Sequence, residues 1–119
     1  MPILPLPDFS LKLGDTSPPL AITCSYPDGS VQNLTGSTVK FAMWKRTNPA
    51  SSPKISSGSA SIITSTAGTC QYAWSTAGTD TNAAGDYYGE FHVTLSGGRK
   101  VSFPNRGYLW IQISPRIST

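Results

Sequence analysis

The sequence has 119 residues, of which 13% are charged, and its formal net charge is +3. This length matches the commonest size of one domain and is too short for a second independent core. The basic residues are scattered, with only two adjacent pairs, so we do not expect a nucleic-acid partner. No segment approaches the roughly 20 apolar residues that cross a bilayer, so no membrane partner is expected. The apolar start has two prolines and no basic residue, unlike a signal peptide, and synthesis and folding in a cytosol are expected.

Apolar side chains alternate with polar ones in the first half of the chain, in short segments separated by turn residues. This period of two is typical of half-buried β-strands. It predicts strands over residues 8–13, 20–26 and 39–44, the last with Trp44 on the face opposite its core residues. Residues 47–58 contain two prolines and four serines, so a mobile loop is predicted there.

The same alternation continues in the second half of the chain. It predicts five more strands, over residues 60–64, 69–75, 87–95, 101–103 and 109–113. Because no helical period is longer than one turn, we expect an all-β, immunoglobulin-like antiparallel sandwich of about seven to eight strands. The corner over residues 80–85 favours this sandwich over a small barrel. In such domains a tyrosine near the start of the sixth strand bonds back to the preceding corner, and Tyr87 occupies that position.

Catalytic, metal-binding and cofactor-binding residues are not predicted. His92 is the only histidine, and nothing in the sequence indicates the nucleophile and carboxylate that a triad requires. The acidic residues lie mostly in turns, where Asp bonds its own backbone. Two alternatives stay open: a glycosidase pair among Asp80, Asp86 and Glu90, and a calcium site in the corner from Asp80 to Asp86. No Cys/His set has zinc spacing. Because none of these residue types indicates a catalytic site, a non-enzymatic protein is expected.

The two cysteines, Cys24 and Cys70, are both predicted to face the core. A disulfide between their strands is possible if the Cα atoms come within about 7 Å. In a protein made in a cytosol, two buried free thiols that act as small apolar side chains are the favoured interpretation.

Four aromatic side chains are predicted on the faces opposite the core: Trp44, Tyr88, Tyr108 and Trp110. Interfaces select Trp and Tyr because these side chains bury a large area at little entropic cost. We therefore expect some of them to contact a neighbouring subunit, and the low charge of the chain fits a protein packed among others. Two other interpretations stay open: a platform that stacks on sugar rings, or cover by loops and terminal arms.

The predicted domain covers residues 8–113, between an extended N-terminal arm of residues 1–7 and a C-terminal tail of residues 114–119. Arms of this kind order on a neighbouring subunit by laying down apolar side chains or by adding a strand to a sheet edge. Three residues of the N-terminal arm are candidate anchors for such a contact: Ile3, Leu4 and Leu6. The alternative for either terminus is a frayed end.

Several short blocks along residues 8–113 keep a characteristic order and spacing. They are DFSLKLGDTSPPL from residue 8, NLTG from 33, VKFAM from 39, YAW from 72, GDYYGEF from 85 and FPNRGYL from 103. Together they resemble the N-terminal domain of the upper baseplate protein family of tailed bacteriophages. The resemblance implies an immunoglobulin-like domain that docks on other virion proteins, such as the central tail hub.

This resemblance predicts a structural protein of the virion in the tail, baseplate or neck, either homo-oligomeric or present in symmetric multiple copies. Its expected partners are the tail hub, a neck protein or the major capsid protein. Because no helical stalk or receptor-binding adaptor follows the strands, a role in carrying receptor-binding subunits is not expected. A capsid decoration protein on the phage head and a carbohydrate-binding module are the alternatives. The sequence does not distinguish head from tail.

Overall fold

A computed structural model describes residues 6–46 and 53–117. These residues form eight strands: β1 (Phe9–Lys12), β2 (Leu20–Thr23), β3 (Thr38–Lys45), β4 (Ile55–Thr64), β5 (Thr69–Tyr72), β6 (Gly85–Thr94), β7 (Lys100–Phe103) and β8 (Leu109–Ser114). No helix occurs within them, so the predicted all-β class is confirmed. Accordingly, no helix long and apolar enough to span a membrane is found in the described part of the chain.

The strands follow one path, β1-β8-β6-β3-β4-β5-β2, with β7 beside the second half of β6. β1 runs parallel to β8, and the other strand pairs along the path are antiparallel. The prediction of a purely antiparallel arrangement was therefore wrong for the first strand. A parallel pair needs a long crossover connection, and here the rest of the domain supplies it. The mixed sheet curls until it is nearly barrel-shaped.

Two long strands change partners along their length and so allow the sheet to curl. The first half of β4 pairs with β3 and its second half with β5, with register shifts in both ladders. β6 pairs with β8 through Gly85–Gly89 and with β7 through Phe91–Thr94. A register shift of this kind bends the strand and increases its local twist.

The core contains the inward side chains of every strand. Phe41 lies at its centre, with its ring centroid 4.8 Å from that of Tyr72 and 4.9 Å from that of Phe91. Full burial of one such side chain contributes about 1.5–3 kcal/mol. The predicted inward alternation is confirmed for β3, β5, β6 and β8. Ala42, predicted to face outward with Trp44, is also buried, at 5% exposure.

The predicted loop over residues 47–58 is wrong at its C-terminal end, because β4 begins at Ile55. Gly58 lies opposite Phe41 in the ladder, and a Cβ atom there would stand 2.5 Å from Cε1 of Tyr72. The absence of a side chain thus leaves room for a core ring. Residues 47–52 of the predicted loop lie outside the described residues.

The first and last strands, β1 and β8, lie side by side. Ser114, predicted to begin the C-terminal tail, is instead the last residue of β8. In the tail, Arg116 donates to the Leu13 carbonyl through Nε at 2.6 Å and contacts the Asp15 carboxylate through a terminal nitrogen at 2.6 Å. The tail is thus held against the domain as far as Arg116.

Both cysteines are completely buried, and no disulfide joins them. The two Sγ atoms lie 3.7 Å apart. The hydrogen bond to Cys24 and burial together raise the pKa of the Cys70 thiol. This pair is therefore part of the core rather than a reactive site.

Candidate docking face

Three neighbouring strands bring outward aromatic residues into one row. Trp44 on β3 lies opposite Tyr88 on β6, and Tyr88 lies opposite Trp110 on β8. Adjacent strands are about 4.8 Å apart, so three side chains in one row are near neighbours. Tyr108, just before β8, joins them from the side. These four residues, all predicted from the sequence to face outward, are called the aromatic face below.

Tyr108 connects the row through ring contacts. Its ring stacks on Tyr88 with centroids 5.0 Å apart and an interplanar angle of 28°, and it meets Trp44 edge to face at 5.5 Å. Aromatic pairs of these geometries contribute about 0.5–1.5 kcal/mol beyond the area they bury. Tyr108 is 48% exposed, whereas the other three rings are half-buried. The rings thus form a preorganised cluster with one member accessible to a partner.

Polar groups hold Trp110 from two directions. The guanidinium of Arg46 lies over the Trp110 ring, 4.5 Å from its centroid, and 5.7 Å from that of Tyr88. The indole Nε1 of Trp110 donates to Asp86 Oδ1 at 2.8 Å, and Gln112 contacts the same oxygen at 3.4 Å. A cation over a ring stabilises by about 0.5–1 kcal/mol at an exposed site. The Trp110 side chain is therefore fixed before any partner arrives.

The main chain of Trp110 is anchored by the residue that precedes β1. The Asp8 amide donates to the Trp110 carbonyl at 2.8 Å, and the Trp110 amide donates to Asp8 Oδ2 at 2.7 Å. The N-terminal arm therefore joins the domain beside the aromatic face. Leu6, two residues earlier, is 79% exposed.

One polar atom of the aromatic face has no partner. The indole Nε1 of Trp44 is shielded from solvent, yet it finds no hydrogen-bond acceptor within the part of the chain that the structure describes. Leaving a buried donor unpaired costs about 1–3 kcal/mol. Nε1 is thus a donor shielded within the aromatic face, and the described residues offer it no acceptor.

The remaining sequence-predicted positions lie elsewhere. Tyr87 points into the core and is fully buried, and its hydroxyl donates to the Ala83 carbonyl at 2.8 Å. Burial raises the pKa of this phenol. Ile3 and Leu4 lie outside the described residues, so only Leu6 of the three arm anchors can be placed.

The acids considered for catalysis or calcium do not converge. Asp80 accepts hydrogen bonds from the Tyr72 hydroxyl and the Ser75 amide, and Asp86 accepts one from the Trp110 indole. Glu90 lies 2.6 Å from His92 on β6. Across residues 6–46 and 53–117, no three His, Cys, Asp or Glu side chains come together as metal ligands. The described residues thus contain no cluster of three such ligands for a cation.

The roles of Arg46 and Asp86 at the aromatic face are not predicted from the sequence. The sequence presents Arg46 as one of several scattered basic residues, and Asp86 as a candidate for a glycosidase pair or a calcium site rather than as the partner of Trp110. Each lies two positions from an outward aromatic residue, Trp44 or Tyr88, and a period of two puts such positions on one face. That spacing is the signal that could have identified them.

Comparison with known proteins adds no relative. No protein-family model matches the chain, and a search of curated proteins finds no significant match. A function is therefore inferred from the aromatic face, and the resemblance of the sequence blocks stays a prediction.

Proposed function

We propose that this chain is a non-enzymatic docking module of a bacteriophage virion, with an immunoglobulin-like sandwich fold. In this proposal it packs its aromatic face against a neighbouring subunit of the tail, baseplate or neck. The observation that carries the proposal is the preorganised cluster of Trp44, Tyr88, Tyr108 and Trp110 under Arg46. Trp, Tyr and Arg are the residue types that dominate the binding energy of protein interfaces.

The strand arrangement supports the immunoglobulin-like part of the proposal. Because β4 leaves β3 to join β5, the strands fall into two groups, β1-β8-β6-β3 with β7 and β5-β2. The hydrogen bond from Tyr87 to Ala83 has the form of a tyrosine corner at the start of β6. Both features agree with a two-layer sandwich whose layers share β4.

Ring coverage favours a protein partner over a sugar. A sugar ring stacks on an open aromatic face, whereas Arg46 lies over Trp110 and Tyr108 lies over Tyr88. A protein partner can instead surround the exposed part of Tyr108 and satisfy the polar groups at the rim. Carbohydrate binding is therefore the second candidate, and its test is direct: a glycan-binding module binds sugar as the isolated chain.

The first test is the location of the chain in particles of the phage that encodes it. Virions with and without the chain are purified and imaged, and the difference density is assigned. Density at the tail tip or neck is the expected result, and density over the head lattice would indicate capsid decoration instead. If the chain is missing from particles, the virion proposal is wrong.

A second test links the aromatic face to incorporation. Tyr108→Ala removes the most exposed ring of the cluster, and Ile63→Ala is the matched control, because Ile63 is 53% exposed and lies outside the aromatic face. We expect fewer copies per particle for Tyr108→Ala and an unchanged number for Ile63→Ala. Equal incorporation of both variants would exclude the aromatic face as the docking surface.

A further inference from the structure

The residues that precede the domain have the composition of a polyproline ligand. Residues 2–7 read PILPLP, with proline at the first, fourth and sixth positions, and the structure describes Leu6 and Pro7 of them. Proline fixes φ near −65°, which favours the extended polyproline II helix. Segments with the spacing Pro-x-x-Pro dock on grooves lined by aromatic rings. Residues 2–7 are called the proline segment below.

The proline segment ends, at Pro7, beside a surface that is suited to bind it. Asp8 forms two hydrogen bonds with the main chain of Trp110, so the segment is joined to the edge of the aromatic face. Leu6 is nevertheless 79% exposed, and its side chain therefore does not pack on the face of its own domain. A second copy of the chain offers the same face without this constraint.

The aromatic face supplies the groups that recognise such a segment. Its rings provide apolar contacts for proline and leucine side chains. The carbonyl groups of a polyproline II helix have no internal hydrogen bonds and are free to accept. Tyr108, which is 48% exposed, carries a hydroxyl donor of the kind that such a carbonyl needs. Apolar contact and hydrogen bonding thus favour the same ligand.

We propose that the proline segment of one copy docks in the polyproline II conformation on the aromatic face of a second copy. This inference rests on the proposed function and names the partner of the same face. Six residues at about 3.1 Å each extend about 19 Å. Three strands span about 10 Å, so the segment is long enough to pass from Trp110 to Trp44. Repetition of this exchange generates a closed ring or a reciprocal dimer.

The test uses the full chain and a synthetic peptide of residues 1–8. Self-association is measured by sedimentation over a wide range of concentration, and we expect oligomers that excess peptide dissociates. A peptide with alanine in place of every proline is the control and should have no effect. Binding is also followed by the change in tryptophan fluorescence. This change reports on Trp44 and Trp110, because the third tryptophan, Trp74, is buried at 3% exposure.

Variants assign the two halves of the contact. Leu6→Asp in the segment and Tyr108→Ala in the face should each weaken self-association by about tenfold or more, as loss of an interface anchor does. Ile63→Ala should leave it unchanged. Both altered positions are exposed, so the variants should fold, and circular dichroism checks this directly. Self-association that persists at full strength in Leu6→Asp would overturn the proposal.

Two further outcomes would overturn it in different ways. A chain that is monomeric at every concentration and insensitive to the peptide does not exchange its segment, even if it is found in virions. If the chain is monomeric and its tryptophan fluorescence changes in Leu6→Asp, the proline segment binds the aromatic face of its own domain. This result excludes docking on a second copy. Absence from virions combined with peptide-sensitive oligomers would instead refute the proposed function and leave this inference standing.

Discussion

The hydroxyl group of Tyr87 offers a sharp test of how the corner before β6 is held. Tyr87→Phe removes this group and leaves the ring in place. The lost hydrogen bond is 2.8 Å long, joins two uncharged groups and belongs to a completely buried side chain. A bond of this kind contributes about 0.5–1.5 kcal/mol net, and the Ala83 carbonyl loses this donor. We therefore expect the free energy of unfolding to fall by about 1 kcal/mol, or Tm by about 3–6 °C.

The neighbouring residue provides a matched control. Tyr88→Phe removes the same group from the next position along β6, but on the outward face. Among the described residues, the hydroxyl there accepts one hydrogen bond, from Arg46 Nε at the long distance of 3.4 Å. Partly exposed substitutions of this kind change stability by less than about 0.5 kcal/mol. Both variants are compared with the parent chain by urea denaturation, which gives the midpoint and the slope of the transition.

The comparison refutes the reasoning if the two variants have the same denaturation midpoint. That result would mean that the hydrogen bond to Ala83 adds nothing to stability beyond what water offers the unfolded chain. A larger loss of about 3–5 kcal/mol would match removal of a whole core ring and would contradict the premise that only the hydroxyl is lost.

Three further predictions concern the core. Gly58→Ala should destabilise the fold by about 1–3 kcal/mol in urea denaturation, because its Cβ atom would stand 2.5 Å from Tyr72 Cε1. Cys24 and Cys70 should resist a thiol reagent in the native chain and react after unfolding, because both are completely buried. Burial and a neighbouring carboxylate raise the pKa of Tyr72 above that of an unfolded tyrosine, near 10. The contribution of Tyr72 to stability should therefore be constant below about pH 10 and decline above it, as tyrosinate absorbance and circular dichroism will show together.

Each of these predictions has its own control or contrary result. Gly97→Ala is the matched control for Gly58→Ala, since a Cβ atom there meets no atom within 4 Å, and an equal loss in both would contradict the packing argument. Native thiols that react as fast as those of the unfolded chain would show that the core opens readily. Stability that rises with pH above about pH 10 would contradict the sign of the Tyr72 shift, because a raised pKa favours the protonated folded state.

Local alternation was sufficient to predict the strands and the outward direction of the four aromatic side chains. A period of two fixes which face a side chain takes, whatever strand lies next to it. The row itself could not be predicted, because it depends on which residue of β6 lies opposite Trp44 and Trp110. That register is set by strand pairing between distant parts of the chain.

The errors in the fold have the same origin. The pairing of β1 with β8 joins residues about one hundred positions apart and leaves no local signal. The start of β4 was hidden because Ser and Pro around residues 51–57 are typical of loops. Its pairing with β3 and the close approach of Tyr72 to Gly58 hold this segment as a strand, and neither is local in the sequence.

The outward surface of β3 and β6 has two unlike halves. In the proposed function, this asymmetry limits the orientation in which the chain can bind a partner. One half carries the aromatic face, whereas the other carries the polar row of Lys40, His92 and Ser102, which are opposite one another across β3, β6 and β7. A partner that covers the aromatic half gains the most binding free energy, because apolar surface is removed from water there. Burial of the polar row would instead cost the hydration free energy of its side chains. Contact with one half alone defines an orientation as well as a site. A subunit repeated by symmetry requires such a fixed orientation, and a uniformly polar surface would not supply it.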